Sequence, residues 1–253
     1  MSDWNSIQYK KFIKQRSQPA KDLAMRIAHY APKTVLDIGC GPGNSTKILK
    51  EIFPTAKLLG IDSSPNMIAK AKEDHPDIDF CVCNALSIEG KFDVIYSNAC
   101  FQWIPDHKTF LPDLMEKLNA NGFLAVQMPY NNDEPLYCVI NEVVSEPKWG
   151  FDCAKFENNI TLDANEYYKI LSECSSDFDI WETKYYHSMP DHMALIEWVK
   201  STKLRPYLAF LGEEKGKELE EEILKRAKKH YPIQSDGNIL FGFRRLFFIA
   251  KKS

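Results

Sequence analysis

Val35-Leu36-Asp37-Ile38-Gly39-Cys40-Gly41-Pro42-Gly43 decides how the rest of this chain is read. An apolar run of strand length passes straight into glycines at 39, 41 and 43, and a helical pattern begins at Asn44. Glycines let backbone approach a ligand closely, and the start of a helix aims amide groups at it. A dinucleotide fingerprint needs Gly-x-Gly-x-x-Gly, whereas here the third glycine comes one residue early and Asn stands at 44. No Gly-Lys-Ser or Gly-Lys-Thr follows, which excludes a phosphate-cradling loop on the same grounds. Asp37, inside the apolar strand, is costly to bury unless it is hydrogen-bonded or meets a charged ligand, and the ammonium of an amino acid would meet that need.

Outward from the loop, strands and helices alternate. Strands are predicted over Thr34 to Ile38, Lys57 to Ile61, Asp79 to Cys83, Phe92 to Ser97 and Phe123 to Met128. Helices are predicted over Ser17 to Ala31, Asn44 to Phe53, Pro65 to Asp74 and Thr109 to Leu118, the last ended near Asn121-Gly122. Apolar strands alternating with helices imply a parallel sheet covered on both faces. After Met128 the alternation loosens, with helices over Glu134 to Val144, Ala164 to Cys174, Met193 to Thr202 and Glu213 to Tyr231 and a polar stretch at Phe151 to Asn159. Two further strands, Ile180 to Met189 and Arg245 to Ala250, bring the sheet to seven. The expectation is a single α/β domain over 1–253, with cap elements from 1–30, 131–178 and 189–240 at the sheet's carboxyl edge, where open α/β sheets bind ligands.

Composition narrows the function classes. With 253 residues, 44% hydrophobic and 26% charged, this is an ordinary globular composition. A formal net charge of -3 argues against a nucleic-acid surface, which shows as a basic stripe. No stretch approaches the ~20 apolar residues that cross a bilayer. Met1-Ser2-Asp3-Trp4-Asn5 lacks the basic and apolar regions of a secretory signal, so a cytoplasmic protein is expected. The seven cysteines show no zinc or thioredoxin-like spacing, and Cys81-Val82-Cys83, in an apolar run, reads as buried free thiols. No metal is expected, since no metalloprotease pattern surrounds His187 and His192. The run from Glu213 to His230, dense in both signs with Leu219, Ile223, Leu224 and Ala227 at near-helical spacing, reads as a solvated amphipathic helix.

Asp62 ends the second strand ~20 residues beyond the glycines, where a carboxylate can accept from both ribose hydroxyls. Asn84, after the third strand, is either a contact to an adenine edge or a turn residue. Strand, loop, Asp62 and element order together resemble the class I S-adenosylmethionine-dependent methyltransferases, whose first motif is a strand, an acidic residue and Gly-x-Gly-x-Gly. That resemblance implies a Rossmann-like, mostly parallel seven-stranded sheet with a helical cap and S-adenosyl-L-methionine as cofactor. It assigns Asp37, Gly39, Cys40, Gly41 and Gly43 to the methionine part, Asp62 to the ribose and Asn84 to the adenine, and adds Ser63, Met67, Ala85 and Asn98 to the cofactor site. Asn84 stands where the family more commonly has Asp.

Asn98-Ala99-Cys100-Phe101-Gln102-Trp103 follows the fourth strand, where donor and acceptor of the methyl group should meet. The Pro-Pro-aromatic motif of nucleobase amine methylation is absent there, and Met128-Pro129-Tyr130 lies one strand too late. Met1-Ser2-Asp3-Trp4-Asn5, Gly60-Ile61-Asp62-Ser63-Ser64-Pro65, Gln102-Trp103, Leu124-Ala125-Val126-Gln127-Met128-Pro129, Tyr185-Tyr186-His187 and Leu204-Arg205-Pro206 are similar to the trans-aconitate 2-methyltransferases. Arg244 departs from that pattern, which tends to have Pro before Arg-Leu-Phe. The resemblance implies a methyl ester on a small polycarboxylic acid. Alternatives are another carboxylic acceptor, such as a malonyl thioester on an acyl carrier protein, or a non-catalytic cofactor-binding protein. A carboxylate, with a pKa near ~4, is ionised at neutral pH, so no catalytic base is required. A polyanion calls for Arg and Tyr. The acceptor candidates are Tyr9, Arg16, Gln102, Trp103, Tyr185, Tyr186, His187, Arg205 and Arg245.

Overall fold

A computed structural model describes residues 12–152 and 160–252. Tyr9, the Met1 to Asn5 motif and most of the polar stretch before Asn159 lie outside the described residues.

The strands are β1 (Thr34–Ile38), β2 (Lys57–Asp62), β3 (Asp79–Val82), β4 (Phe92–Asn98), β5 (Leu118–Pro129), β6 (Asp177–Met189) and β7 (Ile239–Lys251). They form one seven-stranded sheet in the order β3-β2-β1-β4-β5-β7-β6. The first five pair in parallel, and β7 runs antiparallel to β5. Strand order reverses between β1 and β4, the switch point at which open α/β sheets leave a crevice. Register aligns the carboxyl ends there, with Ile38 opposite both Ile61 and Ser97, and Asp62 opposite Val82.

The helices are α1 (Ile13–Arg26), α2 (Asn44–Ile52), α3 (Pro65–Asp74), α4 (His107–Glu116), α5 (Pro135–Val144), α6 (Ala164–Cys174), α7 (Met193–Lys200) and α8 (Arg205–Ala227). The described chain divides into two compact units. One comprises 13–129, 160–183 and 245–252, the other residue 12, 130–152 and 184–244. In the first, Leu36, Ile38, Leu49, Ile95, Tyr96, Phe101, Phe247 and Phe248 are fully buried. In the second, Trp198 lies 5.1 Å from the rings of His187 and Phe243 and 5.6 Å from Phe241, in a core shared with Leu136, Ile140, Leu195, Leu219 and Ile223.

Several boundaries differ from the periodicity. α1 begins ahead of Pro19, which sits inside the helix. α4 ends at Glu116, and Asn121-Gly122 falls within β5, where the register shifts and Asn121 takes φ 62. Asn tolerates that left-handed conformation, so a turn signal marked a bulge. α8 starts at Arg205, with Pro206 in its first turn, where the missing N–H costs nothing, and is broken at Gly212 with φ 75. β7 starts well before Arg245. The reading of Cys81 and Cys83 as buried is corrected: β3 is an edge strand, Cys81 is exposed and Cys83 half-buried.

One buried polar cluster ties α4, β5 and α6. The Tyr167 hydroxyl lies 2.8 Å from His107 Nδ1 and 3.3 Å from Met128 Sδ, and it accepts from the Leu162 amide at 3.4 Å. Burial holds the His107 ring below its usual pKa, and its other nitrogen meets the Phe101 carbonyl. Tyr167→Phe strips the ring of a partner and should cost about 1–3 kcal/mol. In a chain of this size that lowers Tm by roughly 2–4 °C per kcal/mol, which thermal unfolding measures.

Candidate active site

The loop after β1 spends its amides on the protein. Gly39 and Cys40 donate to the Ile61 carbonyl at 2.8 and 3.0 Å, Gly41 donates to Asp62 Oδ2 at 3.0 Å, and Gly43 donates to the Cys40 carbonyl. The glycines therefore provide shape more than donors: Gly39, Gly41 and Gly43 have φ of 71, 53 and 89. A side chain at Gly39 would place Cβ 2.3 Å from the Cys100 side chain, whereas at Gly41 it would meet nothing within 4 Å. Open space above Gly41 is where a ligand can lie against backbone.

Asp37 is wholly buried, as β1 between two neighbouring strands requires. Ser45 Oγ and Thr46 Oγ1, in the first turn of α2, each donate to its Oδ2 at 2.7 Å. Its Oδ1 is buried with no hydrogen-bond partner among the described residues. Burial pushes the carboxyl from 3.8 up to about 7, and the nearby Asp62 charge adds to the rise. An unsatisfied carboxylate oxygen beside an open glycine loop fits a ligand that carries a cationic donor.

Asp62 ends β2 half-buried, with Oδ2 on the Gly41 amide and Oδ1 accepting from the Ser64 amide at 2.8 Å. Each carboxylate oxygen can accept more than one bond, as a pair of ribose hydroxyls would require. Ser64 caps α3, accepting from the Met67 amide, while Ser63 is exposed and the Met67 side chain buried. Asn84 is exposed and accepts from the Leu86 amide at 3.0 Å, the turn role; Ala85 beside it is half-buried. Cys40 is buried, which drives its thiol above the ordinary range. Burial and the Asp62 and Asp37 charges push the Cys100 thiol up to about 12, so neither sulfur is a nucleophile at neutral pH.

At the ends of β4 and β5, Gln127 Nε2 donates to Asn98 Oδ1 at 2.9 Å and Arg245 Nη1 donates to Gln127 Oε1 at 3.2 Å. Arg245 is buried to 5% exposure and Gln127 completely. Next in the chain, Ala99 takes φ 56, a conformation uncommon for an alanine, and its amide donates to the Gln127 carbonyl. Gln102 is buried and donates to the Ala99 carbonyl at 2.8 Å, with its Oε1 lacking a partner among the described residues, and Trp103 is 36% exposed. Arg16 is half-buried on α1. Phe12 lies just before α1 and belongs to the other unit.

In that other unit, alternation along β6 separates the Tyr185-Tyr186-His187 triplet. Tyr185 and His187 point to one face, His187 buried against Trp198, whereas Tyr186 is 61% exposed near the Lys184 ammonium. Arg205 is the half-buried first residue of α8. Sequence reasoning overlooked Ser45, Thr46 and Gln127. A signal existed for Gln127, a polar residue inside the apolar run Leu124 to Met128, the same anomaly that drew attention to Asp37.

Because both substitutions force a side chain into a left-handed backbone, their difference is informative. Gly41→Ala should leave a folded protein, with Tm lowered modestly, that has lost most of its affinity for the methyl donor in calorimetry. Gly39→Ala should lose several degrees of Tm because Cβ collides with Cys100. Equal losses of Tm in the two variants would mean the space at Gly41 is not a ligand's.

A model of a methyltransferase domain matches residues 35–122. The chain is 41% identical to trans-aconitate 2-methyltransferase of Escherichia coli O7:K1 (strain IAI39), with 100% of both chains covered. It is 41% identical to trans-aconitate 2-methyltransferase of Enterobacter sp. (strain 638), covering 100% of this chain and 99% of the relative. Among solved structures, YcgJ from Bacillus subtilis superposes with a TM-score of 0.59 at 14% identity, covering 92% of this chain and 98% of that one. Phosphoethanolamine N-methyltransferase 2 of Haemonchus contortus, in complex with S-adenosyl-L-methionine, gives 0.55 at 18% identity, over 93% of this chain and 53% of that one. Those two likenesses are of fold alone. Identity sustained over the full length, on a sheet and glycine loop of this kind, makes the chain a member of the trans-aconitate 2-methyltransferase family of S-adenosylmethionine-dependent methyltransferases.

Proposed function

We propose that this protein transfers the methyl group of S-adenosylmethionine to a carboxylate of a small polycarboxylic acid, and that trans-aconitate is the acceptor. The observation that carries the acceptor class is Arg245, a guanidinium buried to 5% exposure beside the carboxyl ends of β4 and β5. A guanidinium presents a planar fork of donors that matches a carboxylate. The relatives' name supplies the particular acid.

S-adenosylmethionine, when bound, supplies a methyl group on a sulfonium sulfur. Asp37 would accept from its ammonium, Asp62 from its ribose hydroxyls, and Asn84 with Ala85 would border the adenine, while Gly41 leaves room for the methionine part. Arg245, with Arg16, Gln102 and Trp103 from the same unit, would hold the acceptor. None of these residues needs to take a proton, because the attacking carboxylate is already ionised. Catalysis then comes from positioning, for which effective molarity provides roughly 7 to 11 kcal/mol at the limit. We also propose a cytosolic location: the six cysteines among the described residues are all free thiols, as a reducing compartment keeps them. No described helix is long and apolar enough to cross a membrane.

Arg245→Ala should raise the KM for trans-aconitate roughly tenfold or more, the worth of a charge-assisted hydrogen bond, with donor affinity near normal. Asp62→Ala should do the reverse. Equal damage to donor binding by both would misplace the acceptor site.

A second test uses pH. In the free protein the Asp37 carboxyl sits above its ordinary value, so protonation stabilises the fold, and that stabilisation is lost as pH rises through about 7. A bound ammonium favours the ionised form, so donor affinity should climb as pH rises towards about 7. It should fall again as the donor's own amine deprotonates near ~8. Calorimetry across pH should show the rising limb in the parent protein and not in Asp37→Asn. A rising limb that survives in Asp37→Asn would assign it to another group.

A further inference from the structure

The segment after β4 carries two local costs within four residues. Ala99 holds φ 56, a left-handed backbone that its Cβ makes unfavourable. Gln102, in the single helical turn Phe101–Trp103 and only 4% exposed, has a buried Oε1 that no group among the described residues pairs. A glycine at 99 and an apolar side chain at 102 would remove both costs. One hydrogen bond connects the two residues: Gln102 Nε2 donates to the Ala99 carbonyl at 2.8 Å. From the other side the Ala99 amide donates to the Gln127 carbonyl on β5 at 2.9 Å, so both backbone groups of the strained residue are held. Such strain persists where the surroundings over-determine it, and it gathers at sites that need a fixed geometry. The next residue shows what is fixed. The Cys100 side chain fills the space into which a Cβ at Gly39 would project, 2.3 Å away, so the turn at Ala99 seats this segment directly on the glycine loop.

We propose that Gln102 is a positioning residue that acts through Ala99: its amide N–H holds the left-handed turn, and the turn sets how Gln102 and Trp103, on the acceptor side, sit against the donor loop. The inference rests on the methyl-transfer reading of this site. Without the bond, the Ala99 Cβ drives its backbone towards the ordinary right-handed or extended regions, and Cys100 shifts on Gly39. Transfer between two bound ligands is sensitive to such a shift, since a misplacement of ~1 Å can cost ~10²-fold in rate. Affinity for either ligand alone depends on it less. The effect therefore falls on kcat. It also depends on the residue at 99, because glycine adopts a left-handed backbone freely and needs no clamp.

A double-mutant cycle with trans-aconitate as acceptor tests this. Gln102→Met, close in volume but unable to donate, should lower kcat roughly ten- to a hundredfold while donor Kd by calorimetry stays within about twofold. Ala99→Gly alone should leave kcat within about threefold of the parent's, and in that background Gln102→Met should cost less than about threefold. The readout is kcat because the place of Gln102 beside the acceptor moves KM in both backgrounds alike. Equal kcat losses with and without Ala99→Gly, or an unchanged kcat in Gln102→Met, overturn the proposal. If Gln102→Met does not fold, Gln102→Asn, whose shorter amide does not reach the Ala99 carbonyl, takes its place in the same cycle. A parent protein that transfers no methyl to trans-aconitate overturns the reading of the site and this inference with it, whereas an active parent with an additive cycle overturns the role of Gln102 alone.

Discussion

The buried carboxyl group of Asp37 is the constraint around which the carboxyl edge of the sheet is arranged. It stands on β1, a central strand, so it has no access to water, and two hydroxyls from the first turn of α2 bind one of its oxygens. Those bonds join strand, glycine loop and helix into one piece. They leave the second oxygen unsatisfied, and burial pushes the carboxyl up to about 7 despite them. A native fold tolerates such a group where a ligand completes it. Asp62 continues the arrangement, holding Gly41 in its left-handed turn with one oxygen and the entry to α3 with the other.

Arg245 mirrors this logic with the opposite sign. Ser45 and Thr46 satisfy Asp37 without neutralising it, and Gln127 accepts from Arg245 without neutralising it. Groups of these two signs suit a cationic donor and an anionic acceptor. Methyl transfer between such ligands asks little further chemistry of the protein. Both thiols beside the loop are held in the neutral form, and no base is needed for an ionised nucleophile. The protein's work is to hold two charged molecules in register and away from water.

Much of this was legible in residue order. Glycines one position short of a dinucleotide fingerprint, Asp37 inside an apolar strand and Asp62 at the next strand's end carried the fold and the donor site, because each is a local anomaly with a local cause. What stayed hidden depended on pairing across the sheet. Cys81 and Cys83 looked buried because an apolar run does not reveal that its strand lies on an edge. Asn121-Gly122 looked like a helix end because the same turn chemistry serves a bulge. Gln127, six residues beyond Asn121, was visible as a polar residue in an apolar run, but its partners emerge only once Asn98 and Arg245 are placed on either side of it. Arg244, the departure noted beside Arg245, turns out to tie down its own neighbourhood: its amide donates to Asn131 Oδ1 at 2.7 Å, a bond proline could not make, and its side chain pairs with Asp133.

Product identity tests the central claim most directly. Purified protein incubated with methyl-labelled S-adenosylmethionine and trans-aconitate should yield a labelled, neutral-stable ester that mild alkali hydrolyses to labelled methanol, with the label absent from any N- or S-methylated species. Transfer that leaves trans-aconitate unlabelled, or a product whose methyl group resists alkali, would contradict the account.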